Sequence, residues 1–152
     1  MIEIKVENPD QADVHTLLAA SDAYMASLYP AESNHMVDVS TLAQPHVTFL
    51  VARAAGCAVG CAAVVQSGDG WAEIKRMFVS PAARGRQVGR QLLERLEGIA
   101  RSHGVTALRL ETGIKQPEAL ALYRSAGFRE IQPFGDYGPD PLSLFMEKTI
   151  PA

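Results

Sequence analysis

The sequence predicts a mixed α/β fold in a single domain spanning residues 1–152. Apolar and polar residues alternate over residues 1–7, which is typical of a β-strand. Apolar residues recur at helical spacing over residues 88–100, which indicates an amphipathic helix. The chain has 152 residues, of which 47% are hydrophobic, so it can bury a core of its own. Because strand patterns are interspersed with helix patterns, we expect one mixed sheet with helices packed against it.

The elements can be assigned in chain order from these periodicities and from turn residues. A first strand covers about residues 2–7, and Asp10 is the expected N-cap of a helix that Pro30 ends. A short helix follows at about 36–43. A tight Ala55-Gly56 turn joins the next two strands, and the Ser67-Gly68-Asp69-Gly70 turn leads into another. The remaining expected elements are strands at 47–54, 59–66, 71–79, 106–112, 128–132 and 142–149, and helices at 88–103 and 117–126.

Composition and charge exclude several classes of protein. The net charge of -3 provides no basic surface for nucleic acid. No apolar run approaches the roughly twenty residues that span a bilayer, and the N-terminus resembles a strand rather than a signal peptide. Cys57 and Cys61 have poor spacing for zinc and are too few for a disulfide scaffold, so we expect reduced thiols and no metal. These features predict a cytoplasmic protein.

A turn rich in arginine and glycine connects the strand 71–79 to the helix that follows it. The first amides of a helix are unpaired and attract anions, glycine lets a phosphate approach the backbone, and arginine binds phosphate through two donors. Neither a P-loop nor a Rossmann turn fits, because the chain contains no Gly-Lys pair and lacks G-x-G-x-x-G here. The alternative is an arginine-rich turn that caps an ordinary surface helix. The residues expected to contact a pyrophosphate are Arg84, Gly85, Arg86, Gln87, Val88, Gly89 and Arg90.

This turn resembles the [QR]-x-x-G-x-[GA] signature of the GNAT superfamily of acyl-CoA-dependent N-acyltransferases. Arg84 matches its first position and Gly89 its last, while Gln87 stands where the middle glycine is usual. The substitution either changes one backbone contact to the pyrophosphate or means that Gln87 has a right-handed φ.

A second segment, A-L-A-L-Y-R-S-A-G-F, resembles the family's second signature. Its Leu122-Tyr123 and Gly127-Phe128 pairs match, and Gln116 replaces the usual asparagine that contacts the pantetheine arm. The resemblance extends from about residue 47 to the end of the chain. It implies a twisted sheet of six to seven strands, flanked by about four helices, that splays between the fourth and fifth strands. Acetyl-CoA would enter at that splay.

The resemblance also implies how the thioester is held and activated. Backbone groups of Met77, Phe78 and Val79 would bind the pantetheine arm, and the amide of Phe78 is the first candidate to stabilise the oxyanion. Tyr123 is the candidate acid for the departing thiolate; alternatively, it only packs its helix against the sheet. Glu73 is the candidate base for the amine; alternatively, it is a solvent-facing glutamate paired with Lys75 or Arg53.

Two segments are candidates for acceptor binding. The proline-rich loop 133–141 carries Asp136 and Tyr137, which could select a cationic amine through charge and ring contact. The turn 29–35 carries Tyr29, Glu32 and His35, and in GNAT folds this region forms the opposite wall of the cleft. His35 and His46 are alternative bases. Both segments could instead be ordinary surface loops.

Taken together, these residues predict an N-acetyltransferase (a transferase of the acyltransferase class). It would move an acetyl group from acetyl-CoA to the primary amine of a small molecule or amino acid, directly within a ternary complex. A covalent acyl-cysteine route is not expected, because both cysteines belong to the preceding hairpin. The alternatives are a catalytically inactive CoA-binding regulatory module and a structural domain without a CoA site. The sequence leaves a homodimer open.

Overall fold

The structure, a computed structural model, describes residues 1–33 and 37–151. Its described residues form a single seven-stranded sheet in the order β1-β2-β3-β4-β5-β7-β6. All neighbouring strands are antiparallel except β4 and β5, which are parallel. The predicted mixed sheet of six to seven strands is therefore confirmed. The strands are β1 (Ile2–Val6), β2 (Val47–Ala54), β3 (Cys57–Gln66), β4 (Trp71–Val79), β5 (Ala107–Gly113), β6 (Arg129–Ile131) and β7 (Ser143–Thr149).

Four α-helices flank the sheet within the described residues. The helix predicted at 36–43 is shorter than expected, because the Asp38 side chain accepts a hydrogen bond from Thr41 N and starts the helix at Val39. Asp10 is not the N-cap of the first helix. Gln11 occupies that position, and the Asp10 carboxylate bonds His15 Nε2 instead at 2.8 Å. The helices are α1 (Ala12–Leu28), α2 (Val39–Leu42), α3 (Val88–Ser102) and α4 (Pro117–Ser125), with 3₁₀ turns at Ala31–Ser33 and Pro81–Ala83.

The sheet buries a separate hydrophobic core on each face. Alternation along β2 divides its side chains between them, so that Leu50 faces the α3 side and Val51 the α1 side. The apolar stripe of α3, which includes Leu92 and Leu96, covers the first face. The stripe of α1 covers the second, where Leu17 joins Val51. Each helix therefore packs by the periodicity that its sequence shows.

The sheet splays between β4 and β5. Their parallel pairing covers only Trp71–Ile74 against Ala107–Leu110. Beyond Ile74, β4 continues to Val79 paired with β3, while the rest of β5 pairs with β7. The register with β3 shifts near Arg76, whose φ of 56° lies in the left-handed region. Among the described residues, the C-terminal end of β4 therefore has no neighbouring strand on the β5 side. Its backbone edge there faces a cleft between β4 and β5.

Candidate active site

A groove of about 490 Å³ runs from the N-terminus of α3 along the open edge of β4 to α4. Tyr24 of α1 and Glu118 of α4 also line it, and the Tyr24 hydroxyl donates to Glu118 Oε1 at 2.9 Å. Of the residues predicted to bind the cofactor, Arg86 alone lies outside its lining. The others that line it are Met77, Phe78, Val79, Arg84, Gly85, Gln87, Val88, Gly89, Arg90 and Gln116.

The N-terminus of α3 leaves its first amides without an intrahelical partner. The first helical bond runs from Gln91 N to Gln87 O, and the Gln87 side chain does not cap the helix. Gln87 has a φ of 58°, so of the two alternatives given for this residue, the right-handed φ is wrong. Gln87 therefore has a left-handed backbone conformation, which costs a non-glycine residue on the order of 1 kcal/mol. The turn can therefore still aim backbone donors at an anion.

The two glycines of this turn serve different purposes. Gly85 has a φ of 84°, and a Cβ there would contact nothing within 4 Å, so its backbone conformation is the reason for glycine. A Cβ on Gly89 would lie 2.9 Å from Leu122 Cδ2, so Gly89 allows α3 and α4 to pack closely. Arg84 lies with its guanidinium 5.8 Å from the ring centroid of Tyr24. These features bring positive charge and open amides to one end of the groove.

The amide of Phe78, which was expected first to stabilise the oxyanion, does not lie on the open edge of β4. Ser80 N donates to Val59 O on β3 at 2.8 Å. Because successive residues of a strand direct their amides to opposite edges, Phe78 also faces β3, whereas Val79 and Met77 face the splay. The choice of Phe78 as first oxyanion donor is therefore corrected in favour of Met77. A pantetheine arm along this edge would pair as an added strand does.

A second, smaller cleft of about 130 Å³ continues from the groove into the splay. The two share Met77, Gln116, Ala119 and Leu122 in their linings. A ligand that enters at α3 can therefore reach the second cleft without leaving the protein surface. The charged and aromatic side chains that line this second cleft are Glu73, Lys75, Arg76, Glu111, Tyr29, Tyr123 and Tyr137.

Tyr123 lies on α4 with its ring packed edge-on to Phe128 at 5.7 Å between centroids. Its hydroxyl forms no hydrogen bond with any other described residue. Burial raises the pKa of Tyr123 above its usual value near 10. The phenol therefore stays protonated around neutral pH, but the same shift makes it a weaker acid toward a departing thiolate, and packing alone would also bury the ring.

Glu73 lies inside the cleft rather than facing solvent. Tyr137 donates a short hydrogen bond to Glu73 Oε2, and Lys75 Nζ lies 3.2 Å from the same oxygen. Lys75 also donates to the Tyr137 hydroxyl. Arg53, the other partner considered for Glu73, is held by Glu7 and Asp13 instead. Burial, followed by the Glu73 carboxylate, raises the pKa of Tyr137, so the phenol remains a donor to Glu73.

The predicted acceptor residues are only partly brought together. Tyr29 and Tyr137 line the cleft, whereas Glu32 and Asp136 do not, and His35 lies outside the described residues. The Tyr29 hydroxyl accepts from Lys115 N at 3.0 Å and donates to Gln116 Oε1 at 3.2 Å. Gln116, predicted to contact pantetheine, thus has its side-chain oxygen bonded to Tyr29 in this structure.

The loop between β6 and β7 is anchored by aromatic side chains. Phe134 packs edge-on against Trp71 at 5.5 Å, and against Tyr137 and Phe145 at 5.2 and 5.9 Å between centroids. Arg109 lies over the Trp71 ring at 4.8 Å. These contacts hold the loop against the sheet and direct the Tyr137 hydroxyl to Glu73.

Sequence reasoning missed Lys75, Arg76 and Glu111 as members of the site. Lys75 could have been found, because strand alternation places it on the same face as Glu73. Predicting Glu111 as a site residue requires knowledge of the register between β5 and β7. This register places Ser143 where its Oγ donates to the Glu111 carboxylate at 2.8 Å. Arg76 enters the cleft through the irregularity in β4, and no sequence signal indicates it.

The two cysteines lie outside the cleft that holds Glu73 and Tyr123. Cys57 is exposed and Cys61 is buried, and neither lines the cleft. The Cys61 thiol donates to Arg76 O at 3.2 Å, and burial raises its pKa to about 12.

Across residues 1–33 and 37–151, no three His, Cys, Asp or Glu side chains come together as a metal site. Over these same ranges, every helix is too short or too polar to cross a bilayer.

Comparison with known proteins identifies one family. Residues 16–128 match the model of the Acetyltransferase (GNAT) family. An IAA acetyltransferase from Azospirillum brasilense is 54% identical over 150 residues, and the match covers 98% of both chains. A Klebsiella pneumoniae protein of known structure, assigned as an acyl-CoA N-acyltransferase, is 40% identical with a TM-score of 0.84, covering 99% of this chain and 98% of that one.

A more distant structure contains the cofactor. The PaiA N-acetyltransferase of Thermoplasma acidophilum, solved in complex with coenzyme A, has a TM-score of 0.74 and covers 98% of this chain and 99% of its own. It shares 19% sequence identity, so the likeness concerns the fold.

Proposed function

Because the chain belongs to the GNAT family of acetyltransferases, we propose that it transfers the acetyl group of acetyl-CoA to a primary amine. The acceptor is a small molecule or an amino acid, and transfer is direct while both substrates are bound. One observation carries this proposal: the groove beside α3 and the cleft that holds Glu73 and Tyr123 meet at the splay. A donor that enters along the groove would present its thioester to the side chains of the cleft.

The chain's residues fit coenzyme A in charge and shape. The open amides at the start of α3 and the guanidiniums of Arg84 and Arg90 suit the pyrophosphate. The unpaired edge at Met77 and Val79 suits the amides of the pantetheine arm. Arg86 lies outside the groove lining, so its contribution would be long-range charge rather than contact.

Three groups each carry out one step of the acetyl transfer. Glu73 accepts a proton from the acceptor ammonium, which has a solution pKa near 10, and so frees the nucleophile. The Met77 amide stabilises the oxyanion that forms when the amine attacks the carbonyl. Tyr123 then protonates the thiolate as the C–S bond breaks and regains a proton from the attacking nitrogen, while the proton taken up by Glu73 passes to solvent. A small cleft of about 130 Å³ favours a small acceptor over a protein.

The remaining expectations extend this proposal. We place the enzyme in the cytoplasm, because the exposed thiol of Cys57 suits a reducing compartment. We expect residues 1–152 to fold as one domain, since one sheet includes strands from both ends of the chain. A homodimer stays a prediction.

The test is a screen of amines and amino acids for thiol release from acetyl-CoA, combined with thermal melting. Acetyl-CoA should raise the melting temperature, since a ligand that binds only the native state stabilises it. Acetyl-CoA-dependent stabilisation without thiol release from any acceptor would instead support the inactive CoA-binding module. A melting temperature unchanged by millimolar acetyl-CoA would refute both.

The assignment of the base is tested by Glu73→Gln. Without the carboxylate, attack must await amine that has lost its proton in solution, so the pH–rate profile should shift to higher pH. Glu130→Gln, a change of the same kind on the exposed strand β6, is the matched control. An unchanged profile in Glu73→Gln would rule out Glu73 as the base.

A further inference from the structure

Tyr137 and Lys75 contact the candidate base through the same carboxylate oxygen. Tyr137 donates a hydrogen bond to Glu73 Oε2, and Lys75 Nζ lies 3.2 Å from that oxygen. No donor among the described residues hydrogen-bonds to Glu73 Oε1. The Glu73 side chain lines the cleft and is only 13% exposed. One oxygen is therefore held by the protein, and the other is left for a ligand in the cleft.

Tyr137 reaches Glu73 from a loop outside β4, and its own position is fixed by neighbours. Its ring centroid lies 5.2 Å from that of Phe134 and 5.3 Å from that of Phe145, and both phenylalanines are buried. Tyr137 N donates to Phe134 O at 3.1 Å and closes a turn in which Gly135 has a φ of 58°. This left-handed conformation favours glycine. Ring packing and the turn together fix where the Tyr137 hydroxyl lies.

Lys75 determines where the Tyr137 hydroxyl directs its proton. A hydroxyl has one proton to donate, and an ammonium can only donate. Because Lys75 donates to the Tyr137 oxygen, the Tyr137 proton is left for Glu73. Lys75 restrains the carboxylate less well, because it is a point charge on a flexible four-carbon chain. The orientation of the Glu73 carboxylate therefore depends mainly on the phenol.

The ionisable side chains that share the cleft with Glu73 come from every element packed around it. They are Lys75 and Arg76 on β4, Glu111 on β5, Tyr29 at the end of α1, Tyr123 on α4 and Tyr137 on the β6–β7 loop. Within residues 1–33 and 37–151, Tyr137 alone among them donates a hydrogen bond to Glu73.

We infer that Tyr137 is a positioning residue, which holds Glu73 by Oε2 so that Oε1 receives the proton of the acceptor amine. This inference rests on the proposed acetyl transfer and on Glu73 as its base. In this step an N–H bond of the acceptor ammonium breaks and an O–H bond forms at Oε1, while Tyr137 keeps its own proton. Burial raises the pKa of Tyr137, so the phenol stays protonated around neutral pH. A misplacement of about 1 Å in a catalytic group can cost about a hundredfold in rate, so a residue that fixes the base affects turnover.

The first arm of the test is Tyr137→Phe, which removes the hydroxyl and keeps the ring between its aromatic neighbours. At neutral pH and saturating substrates, kcat for thiol release should fall about tenfold or more, as expected for one charge-assisted contact, and KM for acetyl-CoA should stay near that of the wild type. The defect should shrink as the pH approaches the amine's pKa near 10, because free amine needs no base. A kcat within about twofold of the wild type, or an equal loss at every pH, would overturn the inference.

A change elsewhere on the same loop is the matched control. Asp136 is exposed and lies outside the lining of the cleft, so Asp136→Asn should keep the wild-type rate at every pH. A defect of the same size and pH dependence in Asp136→Asn would assign the effect to the loop as a whole and overturn the role of the Tyr137 hydroxyl.

The second arm asks whether Tyr137 acts through Glu73. Once Glu73→Gln has removed the base, Tyr137 has no base to position, so adding Tyr137→Phe should change kcat by less than about twofold. Equal losses in the two backgrounds would overturn the inference and leave the proposed acetyl transfer standing. No thiol release by the wild-type protein with any acceptor would overturn both. Melting curves establish that each variant compared is folded.

Discussion

Replacing Tyr123 by phenylalanine should separate catalysis from stability. The change removes only a hydroxyl that forms no hydrogen bond with any described residue, and it keeps the ring that packs against Phe128 at 5.7 Å. Deleting a hydroxyl that lines the cleft and has no partner among the described residues leaves no donor or acceptor unpaired, so the free energy of unfolding should change by less than about 1 kcal/mol. In a chain of this length that corresponds to a few degrees in melting temperature.

The effect on turnover should be far larger. A positioned general acid contributes about 10²- to 10⁴-fold, which is about 2.7 to 5.4 kcal/mol of the activation free energy. Since the hydroxyl acts only when the thiolate leaves, kcat should fall while the affinity for acetyl-CoA stays near that of the wild type. The assay is steady-state thiol release, with the dissociation constant of CoA measured by calorimetry.

A second tyrosine supplies the control for this change. Tyr24 lines the CoA groove and donates to Glu118 Oε1 at 2.9 Å, away from the cleft that holds Glu73. Tyr24→Phe should raise KM for acetyl-CoA modestly and leave kcat nearly unchanged, which is the opposite pattern. If Tyr123→Phe retained kcat within about twofold of the wild type, the acid role would be refuted, and packing would be the reason for this tyrosine.

Three further changes test the packing, the cofactor groove and the pH dependence. Gly113→Ala would place a Cβ 1.9 Å from the Tyr29 hydroxyl, so it should cost about 1–3 kcal/mol in denaturant unfolding; an unchanged midpoint would contradict this contact. Arg84→Ala should raise KM for acetyl-CoA about tenfold or more, and Arg86→Ala much less, since only Arg84 lines the groove; equal effects would argue against the phosphate site. Burial raises the pKa of Cys61 to about 12, so its contribution to stability is complete below the unfolded pKa near 8.5 and is lost as pH rises toward 12. Cys61→Ala should remove this loss, which is about 1.4 kcal/mol in the free energy of unfolding per pH unit. If the free energies of unfolding of the two proteins fell in parallel as the pH rises, the raised pKa of Cys61 would be contradicted.

Much of the fold follows from local patterns in the sequence. The strand predicted at 47–54 and the apolar stripe of α3 each match the element that the structure contains. Errors in the fold lie at the ends of elements, such as the start of β3 at Cys57 rather than 59 and the N-cap of α1, where the choice of Asp10 depended on contacts beyond the local pattern. Asp10 bonds His15 Nε2, so Gln11 becomes the N-cap without a side-chain bond.

The residues of the groove beside α3 were predicted from the sequence more completely than those of the cleft, and this difference has a physical cause. The turn at the start of α3 is contiguous, so its residues could be assigned to one groove from the sequence. The acceptor cleft is assembled from β4, β5, α4 and the β6–β7 loop, and no local pattern records how these elements meet. Glu32 and Asp136 were expected in this cleft and lie outside its lining, whereas Lys75 and Glu111 were missed.

The sequence by itself determined the order of the elements, the concentration of arginine and glycine in the turn from Arg84 to Gly89, and the presence of Tyr123 on α4. Those features depend on residues close together in the chain, where periodicity and backbone preferences act directly. Only the tertiary structure decided that Tyr137 bonds Glu73 across 64 residues and that Tyr29 bonds Gln116 across 87. Such contacts depend on strand register and on loop packing, which many distant side chains determine together. The direction of the Phe78 amide and the irregularity at Arg76 belong to the same class, because hydrogen bonding to β3 determines both.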